Sequence, residues 1–164
     1  MNDNSFDTGE SMKTLLQDAI SAVQGGIKAG EDTAEDIQKS ATHPSLKDQL
    51  RHGAEVSREW KRRFDEAAEQ IGTHKGSPAE NPIMAAIYET GMKITDQAED
   101  PNSRDLGIVA TGQIALHYFI ASFGTLAAYT QRMGMSDLAS KMEACLEEAK
   151  VGDERMTEVA NQIA

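Results

Sequence analysis

Apolar and small residues recur along most of the chain in steps of three and four, the spacing of one face of an α-helix. Stripes of this kind face one another inside a helical bundle. The four stripes consist of Met12, Leu16, Ala19, Val23, Gly26, Gly30, Thr33 and Ile37; of Leu46, Leu50, Gly53, Ser57, Trp60, Phe64, Ala67 and Ile71; of Val109, Gly112, Leu116, Phe119 and Phe123; and of Leu138, Met142, Cys145, Ala149, Gly152, Met156, Val159 and Ile163.

Helix-breaking residues separate these stripes. Proline stands at a helix start in Thr42-His43-Pro44 and in Asn81-Pro82, Asp100-Pro101 breaks the chain again, and Gly134 is followed by the capping residue Ser136. No segment has the alternation typical of a β-strand. The pattern predicts four long helices and one short helix, at about 11–41, 44–71, 103–133 and 136–163, and at about 82–98.

The lengths of the connections predict the topology. Very short turns join the first two long helices and the last two, so each pair must be antiparallel neighbours. About thirty residues lie between the pairs and contain the short helix. Two antiparallel hairpins joined by a long crossover that carries a short extra helix form an all-α, ferritin-like four-helix bundle. We expect a disordered tail at 1–10 and a single domain at 11–164.

The net charge limits the kinds of partner that the protein can bind, and the cysteine content indicates its cellular compartment. The chain has 164 residues, a formal net charge of −11 and an isoelectric point near 4.7. Nucleic acids and anionic membranes would be repelled by most of such a surface, so we expect neither as a partner. Cys145 is the single cysteine and cannot form an internal disulfide. Together with the polar N-terminus, this favours a cytoplasmic location.

One segment has the length of a membrane span. Residues 106–131 carry no formal charge and would cross a bilayer as a helix. Several polar residues interrupt the segment, among them Thr111, Gln113 and His117, and aromatic belts are missing at its ends. We therefore interpret it as a helix buried on most sides of a bundle.

Three short segments carry a resemblance to a known family. They are ATHPSLK at 41–47, HYFIASFGTL at 117–126 and LEEAKVGDERMT at 146–157. They resemble three motifs of the YciE/YciF group of ferritin-like bacterial proteins. The first is A-T-x-P-x-L-K, between the first two helices. The second is E-H-Y-E-I-A-x-Y-G-T-L, on the third long helix, and the third is L-x-E-E-K-x-x-D-E-K-L-T, near the C-terminus. The resemblance extends over about residues 12–163 and implies an association with bacterial stress responses.

The family's fold implies a two-metal carboxylate centre in the bundle core, but this chain departs from the family where the ligands would lie. None of the six residues at these family ligand positions has a metal-binding side chain; they are Ile27, Gly53, Val56, Leu116, Phe119 and Ala149. Independently of the family, no Asp or Glu occurs between Asp105 and Asp137, so the third long helix offers no carboxylate from its middle.

These departures predict a protein without a metal, a cofactor or catalytic residues. Large side chains on the third long helix would face small residues of the other stripes and fill the former metal space with an apolar core. The large residues are Leu116, Phe119 and Phe123, and the small ones are Gly26, Gly30, Gly53, Ala149 and Gly152. The function predicted first is therefore that of a non-enzymatic, stress-associated bundle protein.

Two alternative functions remain, and because one of them is enzymatic, the sequence does not decide whether the protein is an enzyme. The first is a ferroxidase-like or oxidase protein that binds iron or manganese at a displaced site. Its weak candidate ligands are His52, Glu55, Glu148 and Asp153, with Glu31 or Glu89 as additional ligands. The second is a binder of a small hydrophobic ligand, whose cavity would form if the large side chains leave the space beside the glycines unfilled. Gly25-Gly26 also fits a kink or a short break in the first helix.

His117 is the one histidine inside the apolar third helix. We expect it to be half-buried and satisfied by Gln113 or by a group on an adjacent helix, rather than to bind a metal. Both flanks of this helix are uncharged, which predicts that more than one face is buried. The crossover helix or a second subunit would cover them, and among oligomers we favour a homodimer.

Overall fold

The chain folds into five helices. The computed structural model describes residues 8–72 and 79–163, and no strand occurs among them. The helices are α1 (Thr8–Ser40), α2 (Pro44–Ile71), α3 (Pro82–Asp96), α4 (Pro101–Arg132) and α5 (Ser136–Ile163).

The helices are arranged as two antiparallel hairpins, α1 with α2 and α4 with α5, each joined by a short turn. The hairpins pack together through α1 against α4 and α2 against α5, while α3 in the crossover packs on α1 and α4. This is the ferritin-like arrangement that the connection lengths predict.

Helix ends differ from the predicted ones by a few residues. α1 begins at Thr8, so three residues of the predicted tail are helical, and residues 1–7 lie outside the described part of the chain. α4 begins at Pro101 rather than 103 because Asp100 caps it: its carboxylate accepts hydrogen bonds from the backbone N–H of Ser103 at 2.9 Å and from the Ser103 hydroxyl at 2.6 Å. Gly134, two residues after the end of α4, has a φ of 71°. This left-handed conformation is the one expected of a glycine that ends a helix.

A buried carboxylate ties the turn between α1 and α2 to α4. Asp105 is 1% exposed. Its carboxylate accepts hydrogen bonds from the backbone N–H of Thr42 at 2.9 Å, from the Thr42 hydroxyl at 2.7 Å and from the backbone N–H of His43 at 2.6 Å. Three donors satisfy a charge that would otherwise be costly to bury, so this contact fixes how the first hairpin sits on the second.

The apolar core is divided into two clusters. The larger one includes Phe64, Phe119 and Phe123 together with the buried apolar residues of α1 and most of those in the N-terminal half of α5, at 138–149. The smaller one lies around the turn between α1 and α2. It includes Ala41 and Leu46 on the side of the first hairpin, and Ile108 and Met156 on the side of the second. Leu116 packs against both clusters. The predicted α5 stripe is correct throughout, since seven of its members are buried and Gly152 is half-buried; those seven are Leu138, Met142, Cys145, Ala149, Met156, Val159 and Ile163.

Gly25 and Gly26 do not break α1, which continues through both residues. They provide room for the chain that leads into α3. A Cβ at Gly25 would overlap the backbone carbonyl of Ala79, and a Cβ at Gly26 would lie 3.1 Å from Met84 and 3.5 Å from Phe119. The two glycines therefore allow a close approach between α1 and the chain that leads into α3, and the break considered for them is wrong.

α4 is not buried on most sides, contrary to the prediction. An outer stripe of uncharged residues is exposed along it, consisting of Ala110, Ile114, His117, Ala121, Thr125 and Ala128. By length and composition alone, α4 is the one described helix that could cross a membrane. Its inner face nevertheless packs on α1, α3 and α5, as that of a core helix does.

Replacing Gly25 by alanine is expected to destabilise the protein by about 1–3 kcal/mol, because the new methyl group would overlap the backbone of Ala79. Urea unfolding followed by circular dichroism measures the change in the free energy of unfolding. Gly53→Ala is the matched control. It makes the same change inside a helix, but no atom lies within 4 Å of the new Cβ, so we expect stabilisation by about 0.5–1 kcal/mol. Equal effects of both variants would contradict the assigned role of Gly25.

Candidate functional site

A cleft of about 940 Å³ lies in the middle of the bundle. Residues from all five helices line it, and most of the lining is apolar. The larger core cluster borders it with Trp60 and Phe119, and the smaller one with Ile108 and Met156. The cleft therefore borders both clusters and is of a size typical of small-molecule sites.

The cleft lies where the family resemblance would place a metal centre. Gly53, Val56, Leu116 and Phe119, four of the six family ligand positions, line it. The other two positions, Ile27 and Ala149, are buried in the larger cluster beside it.

Large side chains fill only part of this region. A Cβ at Gly152 would lie 3.3 Å from Leu116, and one at Gly26 would lie 3.5 Å from Phe119, so both glycines are covered as the pairing of large with small residues predicts. Gly53 is different, because no atom lies within 4 Å of its Cβ position. Gly53 is exposed and lines the cleft, so the predicted α2 stripe does not turn inward at this residue. The prediction that Gly53 faces a large side chain in a filled core is wrong.

Aromatic rings form the wall on the side of the larger cluster. The ring centroid of Trp60 lies 5.3 Å from that of Phe119 and 5.0 Å from that of Phe123. Phe119 and Phe123 stack with their centroids 5.5 Å apart. Such ring contacts stabilise a rigid surface, so this wall is preformed.

Glu148 is held in an ion pair at the edge of the cleft. Its carboxylate accepts hydrogen bonds from the two terminal guanidinium nitrogens of Arg63, at 2.7 and 2.9 Å, and from the indole nitrogen of Trp60 at 2.8 Å. The hydrogen bonds to Glu148 raise the pKa of Arg63. Both carboxylate oxygens are thus used to join α2 to α5, which leaves Glu148 poorly suited to bind a metal.

The other weak candidate ligands do not come together. His52 and Glu55 are exposed on α2. Asp153 on α5 lies 3.3 Å from the His117 imidazole, and Glu89 pairs with Lys93 at 2.6 Å. Within residues 8–72 and 79–163, no three His, Cys, Asp or Glu side chains are grouped so that they could hold a metal ion. The donors present therefore do not fit the two-metal centre that the family resemblance implies.

His117 is 66% exposed and not half-buried as expected. Its partner is Asp153 on the adjacent helix α5, whereas Gln113 donates instead to the hydroxyl of Thr157 at 2.9 Å. The histidine therefore belongs to the surface contact between α4 and α5 and lies outside the cleft lining.

Cys145 is fully buried in the larger cluster, as its place in the α5 stripe indicates. Burial raises the pKa of its thiol, and its sulfur accepts a hydrogen bond from Arg63 at 3.5 Å. A buried thiol with a raised pKa is a poor nucleophile, so Cys145 is a core residue.

The contribution of α3 to the cleft is not predicted from the sequence. This helix supplies the cleft with Tyr88, Gly91, Met92, Thr95 and Asp96. A spacing of three and four from Tyr88 through Gly91 to Thr95 was present in the sequence. However, the crossover length alone does not tell which bundle face such a helix covers.

The family sequence model described as "Domain of unknown function (DUF892)" matches residues 10–164. The chain belongs to this family. Protein YciF of Escherichia coli (strain K12) is 30% identical to it over 98 residues, which cover 60% of this chain and 59% of YciF. The resemblance to the YciE/YciF group is therefore confirmed, although the matched region spans less than two thirds of YciF.

Two solved structures share the fold of this DUF892 chain. The crystal structure of the E. coli stress protein YciF superposes with a TM-score of 0.86 at 22% identity and covers 93% of this chain and 96% of its own. YcfI from Rhodopseudomonas palustris superposes with a TM-score of 0.84 at 21% identity, over 96% and 98% of the two chains. These likenesses confirm the all-α bundle.

The variant Glu148→Gln is expected to lower the free energy of unfolding by about 1–2 kcal/mol, because Arg63 and Trp60 lose a charged acceptor in a half-buried position. Urea unfolding measures the loss. The neighbouring Glu147→Gln is the control, because Glu147 makes an exposed contact with Lys150 within one helix and should change stability little. A loss for Glu147→Gln as large as that for Glu148→Gln would contradict this assignment.

Proposed function

We propose that this DUF892 protein is a non-enzymatic bundle that binds a small, mainly apolar molecule in the cleft between its two core clusters. The observation that carries the proposal is the unfilled space of about 940 Å³ bordered by all five helices. A large apolar cleft with a preformed aromatic wall is the common form of a ligand site.

The proposal includes the loss of the family's metal centre. Its support is the chemistry of the side chains at the family ligand positions, which are apolar or absent, together with the engagement of Glu148 by Arg63 and Trp60. A displaced iron or manganese site has no matching group of donors among the described residues. We therefore place the ligand-binding alternative above the oxidase alternative.

We also propose a role in bacterial stress responses and a cytoplasmic location. The support for the stress role is the family relationship to YciF, which the solved structure calls a stress protein. The single buried cysteine is compatible with a reducing compartment.

The homodimer expected from the sequence remains a prediction. Its support is the outer stripe of α4, where Ile114 is 57% exposed and where a strongly acidic protein presents a surface without charge. Two copies would repel each other least along this stripe.

Nile red, a neutral apolar dye, is expected to bind the wild-type protein with a blue-shifted and stronger emission, because the cleft removes it from water. Gly53→Phe should weaken this binding by about tenfold or more, because the new ring enters the space beside Gly53. Fluorescence titration measures both affinities.

The matched control is Gly53→Ala, which replaces the same glycine but leaves most of the space open and should bind the dye nearly as wild type does. Thermal unfolding checks that both variants are folded. If the wild-type protein does not bind the dye, or if Gly53→Phe binds it as tightly as Gly53→Ala, the proposed ligand site is wrong.

The purified protein is expected to hold far less than one equivalent of iron or manganese after washing with a mild chelator, because the described side chains offer no suitable donor group. Plasma mass spectrometry measures the metal content. The double variant Leu116→Glu, Phe119→Glu restores two family carboxylates and tests whether the scaffold then gains metal. Near-stoichiometric metal in the wild-type protein would favour the oxidase alternative.

A further inference from the structure

The wall that α3 contributes to the cleft contains a tyrosine whose hydroxyl has no hydrogen-bond partner among the described residues. Tyr88 lines the cleft, and its hydroxyl makes no hydrogen bond with any residue that the structure describes. Burial raises the pKa of Tyr88 to about 12, so the phenol keeps its proton at neutral pH and is available as a donor. Tyr88 is half-buried, so its hydroxyl is accessible to a molecule in the cleft.

The hydroxyl lies next to open space rather than inside the packed core. Its oxygen is beside Gly30 of α1, which also lines the cleft, and a Cβ at Gly30 would lie 2.9 Å from that oxygen. A side chain at position 30 would therefore collide with the hydroxyl. Glycine at this position lets the Tyr88 ring pack against α1 at the cleft.

The other hydroxyls on the α3 and α4 side of the cleft already use their protons. Thr95 donates to the carbonyl of Met92 at 2.8 Å, and Thr111 donates to the carbonyl of Gly107 at 2.9 Å. Among the described residues on this side of the cleft, Tyr88 is therefore the one whose hydroxyl donates to no acceptor.

The charged side chains that line the cleft are exposed, apart from the half-buried Glu148. The exposed ones have both signs: Glu31, Glu35, Asp96 and Glu147 are acidic, and Arg58 and Arg155 are basic. Glu148 is neutralised by Arg63. An ionised guest would find no opposite charge beside Tyr88, and desolvating it there would be costly.

We infer that the cleft takes an uncharged, mainly apolar molecule with one hydrogen-bond acceptor, such as a ketone, ester or quinone carbonyl, and that Tyr88 donates its hydroxyl proton to this acceptor. The inference rests on the proposed function, since it specifies the ligand of the same cleft. The apolar body would lie against Phe119 and Trp60, and the carbonyl would point towards α3.

Two probes of the same shape test the inference. 1-Acetylpyrene carries a ketone, and 1-ethylpyrene has the same outline without an acceptor. We expect both to bind the wild-type protein in fluorescence titrations. Tyr88→Phe removes the donor and keeps the ring, and should weaken binding of the ketone by about three- to tenfold while leaving that of the hydrocarbon unchanged.

Tyr129→Phe is the control variant, because Tyr129 packs against the larger cluster and does not line the cleft. It should bind both probes as the wild-type protein does. If Tyr88→Phe weakens both probes equally or neither, the role of Tyr88 is overturned while the cleft remains a ligand site. If neither probe binds the wild-type protein, the proposed function itself fails, and the inference fails with it.

Discussion

Close contacts at glycine determine how the helices of this bundle are spaced. Gly25 lies against the backbone of Ala79, and Gly91 of α3 lies directly against Thr111 of α4. These contacts bring α3 close to both α1 and α4, where a side chain in place of glycine would hold the helices apart. The position of α3 then decides the shape of the interior, because this helix closes one side of the cleft. α2 has no comparable contact at Gly53, and the space beside that residue stays open.

Three carboxylates each pair with a different neighbouring element rather than being arranged around a common centre. Asp105 binds the turn between α1 and α2, Glu148 binds Arg63 and Trp60, and Asp153 lies beside His117. Each carboxylate therefore stabilises a contact between two elements of the fold. In a two-metal bundle, carboxylates would instead point at one another and depend on the cations to compensate their charge. The same fold can thus keep its shape while its buried charges serve packing alone.

The relation to YciF and YcfI illustrates why the fold and the site must be argued separately. Two bundles at 21 and 22% identity superpose on this chain with TM-scores of 0.84 and 0.86. Helix lengths, connections and apolar stripes are sufficient to preserve such an arrangement. A ligand or metal site depends on a few side chains, so it can change without any change of fold. Leu116 and Phe119 fit the bundle well, yet neither can bind a metal.

The sequence by itself determined the five helices, their order and the face that each long helix turns inward. This was possible because helical periodicity, proline and glycine positions and short turns are local properties of the chain. The stripe of α5 and the departures from the family at Leu116 and Phe119 could be identified in the same way. Only the tertiary structure decided whether the large residues fill the interior, since that depends on the distances between helices. The empty space at Gly53, the clamp at Asp105 and the free hydroxyl of Tyr88 each involve residues far apart in the sequence. No local pattern encodes such distances, because close contacts elsewhere in the bundle set them.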